Sequence, residues 1–226
     1  MAGQIIIVTG TSGSGKSTAC ELFAKRSQDF WLLFGIDHFL AGSFPAKYGH
    51  HGPLCAQGFQ AVPVDEGDPD GALRWQFGEW GTRAFAAFHE WVAAASRAEC
   101  NIIIDHLMLL DPPILQDCIW RLRDLPVTLV SLKPPYEVLM ERIASRKMDK
   151  KMPTAEFADD DPVKRIIERL GRLRPWFYEA SYANDINDLE IDTSQHDPEA
   201  VCEQIEARLS QGPGEAFAAL RERYPR

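Results

Sequence analysis

Residues 5–17 read Ile5-Ile6-Ile7-Val8-Thr9-Gly10-Thr11-Ser12-Gly13-Ser14-Gly15-Lys16-Ser17. The β-branched run predicts a buried parallel strand, apolar on both faces. From Gly10 the chain satisfies G-x-x-x-x-G-K-[ST], a phosphate-binding pattern of known mechanics. Its glycines let the backbone curl so that N–H groups from Gly10 to Gly15 point inward at phosphate oxygens. A helix starting near Lys16 adds its positive dipole end. Lys16 is expected to reach the β- and γ-phosphates, Ser17 to coordinate Mg²⁺ and Thr18 to contact the α-phosphate. The bland alternative is a glycine-rich turn with no ligand. Eight constrained positions between a strand and a helix speak against it, so binding of a nucleoside triphosphate is the firm step.

Working outward, a helix is predicted from Lys16 to about Ser27 and a strand over Phe30–Phe34. Residues 41–71 are rich in Pro and Gly without a period, as in functional excursions. Leu73, Phe77, Trp80, Ala84, Phe88, Trp91 and Ala95 recur at intervals of three and four, which predicts one long helix from Leu73 to Arg97. Ile102–Ile104 and Val127–Leu132 read as further strands, and Leu189–Ile191 as the last. Helices are predicted over Pro113–Arg123, Tyr136–Lys147, from about Asp160 to a break or kink at Pro175, and over Pro198–Leu209 and Glu215–Arg223. Strands alternating with helices predict an α/β fold: a three-layer α/β/α sandwich of the P-loop NTPase kind, with a mostly parallel sheet of about five strands and a helical lid. The 226 residues suit one domain, 1–226, with an acceptor-binding excursion at about 38–72 and the lid at about 142–160.

The net charge of −9 argues against broad binding to nucleic acid or anionic membrane, both of which need a positive footprint. Cys20, Cys55, Cys100, Cys118 and Cys202 are scattered and never spaced CxxC, which fits reduced thiols. No apolar run approaches the ~20 residues that span a bilayer, and the first strand leaves no room for a signal peptide. Cytoplasmic residence is the default expectation. Self-association is left open.

In an open α/β sheet, ligands gather at the carboxyl ends of the strands. Asp37 and Asp105 are expected there. Transfer of a phosphoryl group to an alcohol needs a group that accepts the hydroxyl proton. Asp37 is the candidate, with N-capping of the following residues as its structural alternative. Asp105 closes an isoleucine run in the manner of a Walker-B carboxylate and is expected to hold Mg²⁺ through a water. Position alone allows the exchange, with Asp105 as base and Asp37 binding the acceptor. His50, His51 and Cys55 hint at a metal site but lack a fourth ligand nearby. Phe39, Phe44, Tyr48 and Phe59 either line an apolar acceptor pocket or pack a loop onto the core.

The segment Phe30-Trp31-Leu32-Leu33-Phe34-Gly35-Ile36-Asp37, placed after this loop, resembles chloramphenicol phosphotransferase and its relatives. So do Asn101–Asp105 and Asp188-Leu189-Glu190-Ile191-Asp192-Thr193-Ser194. The resemblance implies ATP and Mg²⁺ as cofactors, a small-molecule hydroxyl as acceptor and Asp37 as general base. It places Thr193 and Ser194 near the adenine. Arg142 and Arg146, four apart and on one helical face, resemble the family's lid arginines over the phosphates. Lys147, Lys150 and Lys151 extend that basic patch. His38 departs from the family's smaller residue, and residues 41–71 have no counterpart. Chloramphenicol is one acceptor among several. A nucleoside, nucleotide or sugar-acid kinase is the enzyme alternative, and a nucleotide-binding regulator the non-enzyme one.

Overall fold

The computed structural model describes residues 1–50, 52–145 and 162–226, with Ala144 and residues 162–170 taken as backbone only. His51, Arg146, Lys147, Lys150, Lys151 and most of the expected lid lie outside the described residues. The strands are β1 (Ile5–Thr9), β2 (Trp31–Gly35), β3 (Phe59–Pro63), β4 (Leu73–Phe77), β5 (Asn101–His106), β6 (Val127–Leu132) and β7 (Leu189–Ile191). The helices are α1 (Lys16–Arg26), α2 (Ile36–Ser43), α3 (Glu79–Arg97), α4 (Ile114–Arg121), α5 (Tyr136–Ser145), α6 (Pro162–Ser181), α7 (Pro198–Leu209) and α8 (Ala216–Arg223).

Five strands form one sheet in the order β2-β5-β1-β6-β7, every neighbouring pair parallel. Period-two alternation divides the central strands between two cores. Ile5, Ile7, Ile102 and Ile104 face one core with Phe88 of α3, Leu115 of α4 and Phe217 of α8. Ile6, Val8 and Ile103 face the other with Phe23 of α1 and Val201 of α7. Both faces are thus covered, which is why these strands are continuous apolar runs.

Asp188 locks one edge of this sheet. Its carboxylate accepts from the backbone N–H groups of Leu129 (2.8 Å), Glu215 (2.7 Å) and Ala216 (2.8 Å), tying β6 to the start of α8. The side chain is only 3% exposed. Asp188→Ala would leave these donors without their acceptor, an expected loss of about 3 kcal/mol. The check is the urea unfolding midpoint at unchanged slope.

Three expectations are corrected. The long helix does not start at Leu73: β4 pairs antiparallel with β3, from Phe59 opposite Phe77 to Pro63 opposite Leu73. Leu73 and Phe77 are four apart, a spacing that both the helical and the strand period satisfy. Leu-x-Trp-x-Phe is in fact strand alternation, ended by Gly78. Second, α3 turns a different face inward. Gly81, Phe85, Phe88, His89, Val92 and Ser96 are buried, while Trp80 and Trp91 are 41% and 38% exposed. Third, of the break or kink expected at Pro175, the break is absent: α6 runs on through it as one helix. Proline forfeits one backbone bond there, and packing on β4 compensates: Phe177 meets Trp75 edge-on, ring centroids 4.6 Å apart.

Candidate active site

The loop after β1 is shaped by three glycines with positive φ: Gly10 at 142°, Gly13 at 91° and Gly15 at 100°. L side chains rarely adopt such angles. Gly13 also has a close neighbour, since a Cβ there would stand 2.9 Å from Leu139 Cδ1 of α5. Around Gly15 the space is open. Tyr182 fixes the front of the loop: its hydroxyl donates to the Leu132 carbonyl (2.7 Å) and accepts from the Thr11 N–H (3.3 Å). Burial pushes the Tyr182 phenol far up, so it stays protonated and keeps donating.

Lys16, first residue of α1, donates to the Thr11 carbonyl at 3.0 Å. Ser17 Oγ donates to Asp105 Oδ2 at 2.6 Å. Asp105 is 8% exposed and lies at the end of β5, in register with Val8 and Gly35. Gly35 is needed for this placement. A Cβ on it would sit 2.3 Å from Asp105 Oδ1. The Phe-Gly step before Asp37 therefore makes room for the neighbouring strand's carboxylate.

Asp37 is the second residue of α2. The N-cap is Gly35, with no side-chain cap bond. The capping alternative thus fails: Asp37 sits within the first turn and opens onto the same cavity as Lys16 and Asp105. The Asp37 side chain is exposed to solvent at the cavity mouth; partial desolvation by the surrounding walls raises its pKa above the ordinary carboxylate value, and the negative Asp105 adds to the rise. Lys16 and His38 oppose it.

That cavity, of about 380 Å³, brings Thr11, Lys16, Ser17, Asp37 and Asp105 together. Its other wall is apolar, built from Ile36, Trp75, Leu107, Met140, Leu173 and Phe177. Arg174 of α6 enters it as well. The sequence reading missed Arg174, Trp75 and Phe177. For Arg174 and Phe177 the available signal was an Arg172-Leu173-Arg174 step inside an aromatic helical stretch; for Trp75 it was the Leu-x-Trp-x-Phe alternation. Arg172 next to it donates to the Gly71 carbonyl at 2.7 Å and to the Pro69 carbonyl, docking the β3–β4 turn on α6.

Arg142 lies elsewhere. It donates to Thr193 Oγ1 (2.8 Å) and Thr193 O (2.5 Å), while Thr193 Oγ1 donates to the Ser14 carbonyl (3.0 Å). These residues line a second cavity of about 240 Å³, with Leu132, Pro198 and Val201. The two cavities meet at Gly13, Gly15 and Thr18. Thr193 therefore stands behind the loop and Asp37 in front of it. Ser12 on the loop and Thr18 in the first turn of α1 are exposed. Of the aromatic set, Phe44 and Phe59 pack together (4.4 Å) and Phe39 packs on Phe88 (5.3 Å), so these serve the core. His50 packs on Trp75 at 5.2 Å, in the backing of the apolar wall.

The residues fit a nucleotide and a hard divalent cation. The positive-φ turn leaves backbone N–H groups beside open space at a helix start, and Ser17 with Asp105 is the all-oxygen pair that suits Mg²⁺. Among the described residues no helix is long and apolar enough to cross a membrane.

Comparison with known proteins agrees with this architecture. The chain resembles a sugar kinase from Janibacter sp. HTCC2649 with a TM-score of 0.52 at 17% identity, over 94% of this chain and 97% of that one. It resembles the Mycobacterium tuberculosis APS kinase, solved with AMPPNP and APS, with a TM-score of 0.57 at 12% identity, over 92% and 98%. At such identities the likeness is one of fold, and the fold is that of P-loop kinases. No curated protein sequence matches the chain. A family model does match residues 3–210, which takes in the loop, both aspartates and Thr193, and the chain accordingly belongs to the chloramphenicol phosphotransferase-like protein family.

Proposed function

We propose that this protein is an ATP-dependent O-phosphotransferase that moves the γ-phosphate onto a hydroxyl of a small molecule with an apolar, ring-bearing body. The observation that carries the reading is the single cavity in which the phosphate loop and two carboxylates face an apolar aromatic wall. Small-molecule sites are mostly apolar with a few convergent polar groups, and this one has that division. Trp75 and Phe177 favour a ring-bearing acceptor with an apolar face, while Arg174 in the same cavity keeps the sugar-acid alternative in the test panel. A regulator would leave Asp37 and the wall without a task.

In this reading the amide-lined turn and Lys16 hold the triphosphate, with Thr193 and Arg142 on the nucleoside side. Ser17 and Asp105 would hold Mg²⁺, which supplies charge neutralisation on the phosphate oxygens. The wall presents the acceptor hydroxyl to Asp37. As the alcohol oxygen bonds to the γ-phosphorus, Asp37 takes its proton and the β–γ bridging oxygen leaves with ADP. Arg174 stands in the same cavity to balance charge on the transferred group or on the acceptor.

The direct test is ADP release against a panel of hydroxylated antibiotics, nucleosides, sugars and sugar acids, at matched concentrations. Turnover with apolar-bodied alcohols is expected to exceed that with polyols. A preference for polyols would overturn the acceptor class, and no turnover with any alcohol would overturn the reaction. Trp75→Ala is expected to raise the acceptor KM by about tenfold to a hundredfold, the contact energy of one large apolar side chain, and to leave the KM for ATP unchanged.

A further inference from the structure

Behind the active site, on the opposite face of β5, lies a cluster that the phosphotransfer reading does not use. His89 of α3, His106 of β5 and Cys118 of α4 are each 0% exposed. One donor atom from each falls within 4.8 Å of the others. We propose that these three residues form a binding site for a borderline-soft transition-metal ion, Zn²⁺ being the best fit. Such an ion would pin α3 and α4 to the strand end that carries Asp105.

The donor chemistry comes first. Two imidazoles and a thiol are ligands that zinc accepts and that Mg²⁺ and Ca²⁺ do not favour. The outer contacts match as well. His89 Nδ1 lies 2.7 Å from Asp117 Oδ2. Asp117 is held from the other side by Arg121 Nε, at 2.9 and 2.8 Å to its two oxygens. Arg121 in turn meets Glu90 at 2.6 Å. A ligating histidine commonly donates its second ring N–H to a carboxylate, which fixes the tautomer and turns the other nitrogen toward the metal. With the His89 proton on Nδ1, its Nε2 is a lone pair, and it faces His106 Nε2 at 2.8 Å.

Without a metal, His106 donates through Nε2 to His89 Nε2; its Nδ1 has no hydrogen-bond partner with or without an ion, a cost that ion binding has to exceed. Phe85 stacks on the ring at 5.8 Å and Phe88 meets its edge at 5.1 Å, so no water compensates from those sides. Two nitrogens each bound about 2 Å from one tetrahedral ion stand about 3.3 Å apart. The rings therefore need to part by about half an ångström and Cys118 Sγ, now up to 4.8 Å from a ring nitrogen, needs to close in by about 1 Å. Binding displaces the Cys118 thiol proton to solvent and moves the His106 proton from Nε2 to Nδ1. Charge then balances: the dication is matched by the Cys118 thiolate and the Asp117 carboxylate, and Arg121 by Glu90.

The site is closed, so the ion would be captured as the chain folds. Untagged protein made in zinc-supplemented medium and washed with chelator is expected to retain about one zinc per chain by elemental analysis. Cys118→Ser is expected to lose most of it, whereas Cys100→Ser, at a cysteine outside the cluster, is expected to keep it. Protein made with cobalt instead is expected to show thiolate-to-cobalt absorption, a readout that needs no variant to fold. Wild-type protein without zinc and without that absorption, or zinc that survives Cys118→Ser, would show that the histidines only hydrogen-bond to each other.

Discussion

Lys16→Ala is expected to lower phosphate transfer by about 10³-fold, the size of effect seen when a preorganised charge partner is removed from a developing anion. Nζ now rests on the Thr11 carbonyl at 3.0 Å, at the mouth of the turn that would hold the triphosphate. From there a lysine can reach a phosphate oxygen as a mobile point charge on a flexible stem. The backbone N–H groups of the loop remain in the variant, so ATP binding is expected to weaken far less than turnover. Titration calorimetry with Mg²⁺ reads the first quantity and coupled ADP release the second. The fold does not depend on this side chain, because the turn is set by Gly10, Gly13, Gly15 and the Tyr182 hydroxyl. A variant that retains turnover within tenfold of wild type would mean that Arg174 or another cation carries the γ-phosphate, and the assignment of Lys16 would fail.

What the sequence disclosed, and what it hid, follows from how local each signal is. The loop, its strand and its helix are contiguous, and Gly15-Lys16-Ser17 carries its chemistry within three residues. The sheet was legible because β1, β5 and β6 are buried on both faces and hence uninterrupted in apolar character. Asp37 and Asp105 were legible because strand ends in such sheets converge. The reason for Gly35 was not, since it lies in a contact with Asp105 across two strands. The apolar wall was hidden for the same reason. Trp75 and Phe177 are far apart in sequence and meet only because β4, misread as helix, docks on α6. The cluster of His89, His106 and Cys118 is likewise assembled from two helices and a strand, at spacings that match no metal motif. Arg142 shows the converse case. Its i,i+4 spacing with Arg146 resembles the family's lid pair, and in the structure its guanidinium is held by Thr193 beside Gly13 and Gly15, outside the cavity of Asp37.

Asp37→Asn separates the proposed base from a binding group. Turnover is expected to fall about 10²-fold or more, since the amide cannot take the hydroxyl proton, while the affinities for ATP and acceptor stay close to wild type. The pKa of Asp37 gives two further signs to check. Partial desolvation and the charge on Asp105 raise it, so the wild-type rate is expected to fall as pH falls through that raised value. Asp37→Asn is expected to lack this limb. Stability runs the other way. A carboxyl that holds its proton more tightly folded than unfolded contributes stability below its unfolded pKa and loses it as pH rises through the folded one. At neutral pH the nucleotide-free protein carries Asp37 ionised beside Asp105, but the side chain is exposed to solvent, which screens the repulsion, so Asp37→Asn is expected to unfold at a temperature equal to or only slightly above that of wild type. Loss of a helix cap would instead lower that temperature, because removing a cap destabilises. A variant that is slower and also less stable would return Asp37 to a structural role. A variant at least as stable as wild type, with undiminished turnover, would move the base to Asp105.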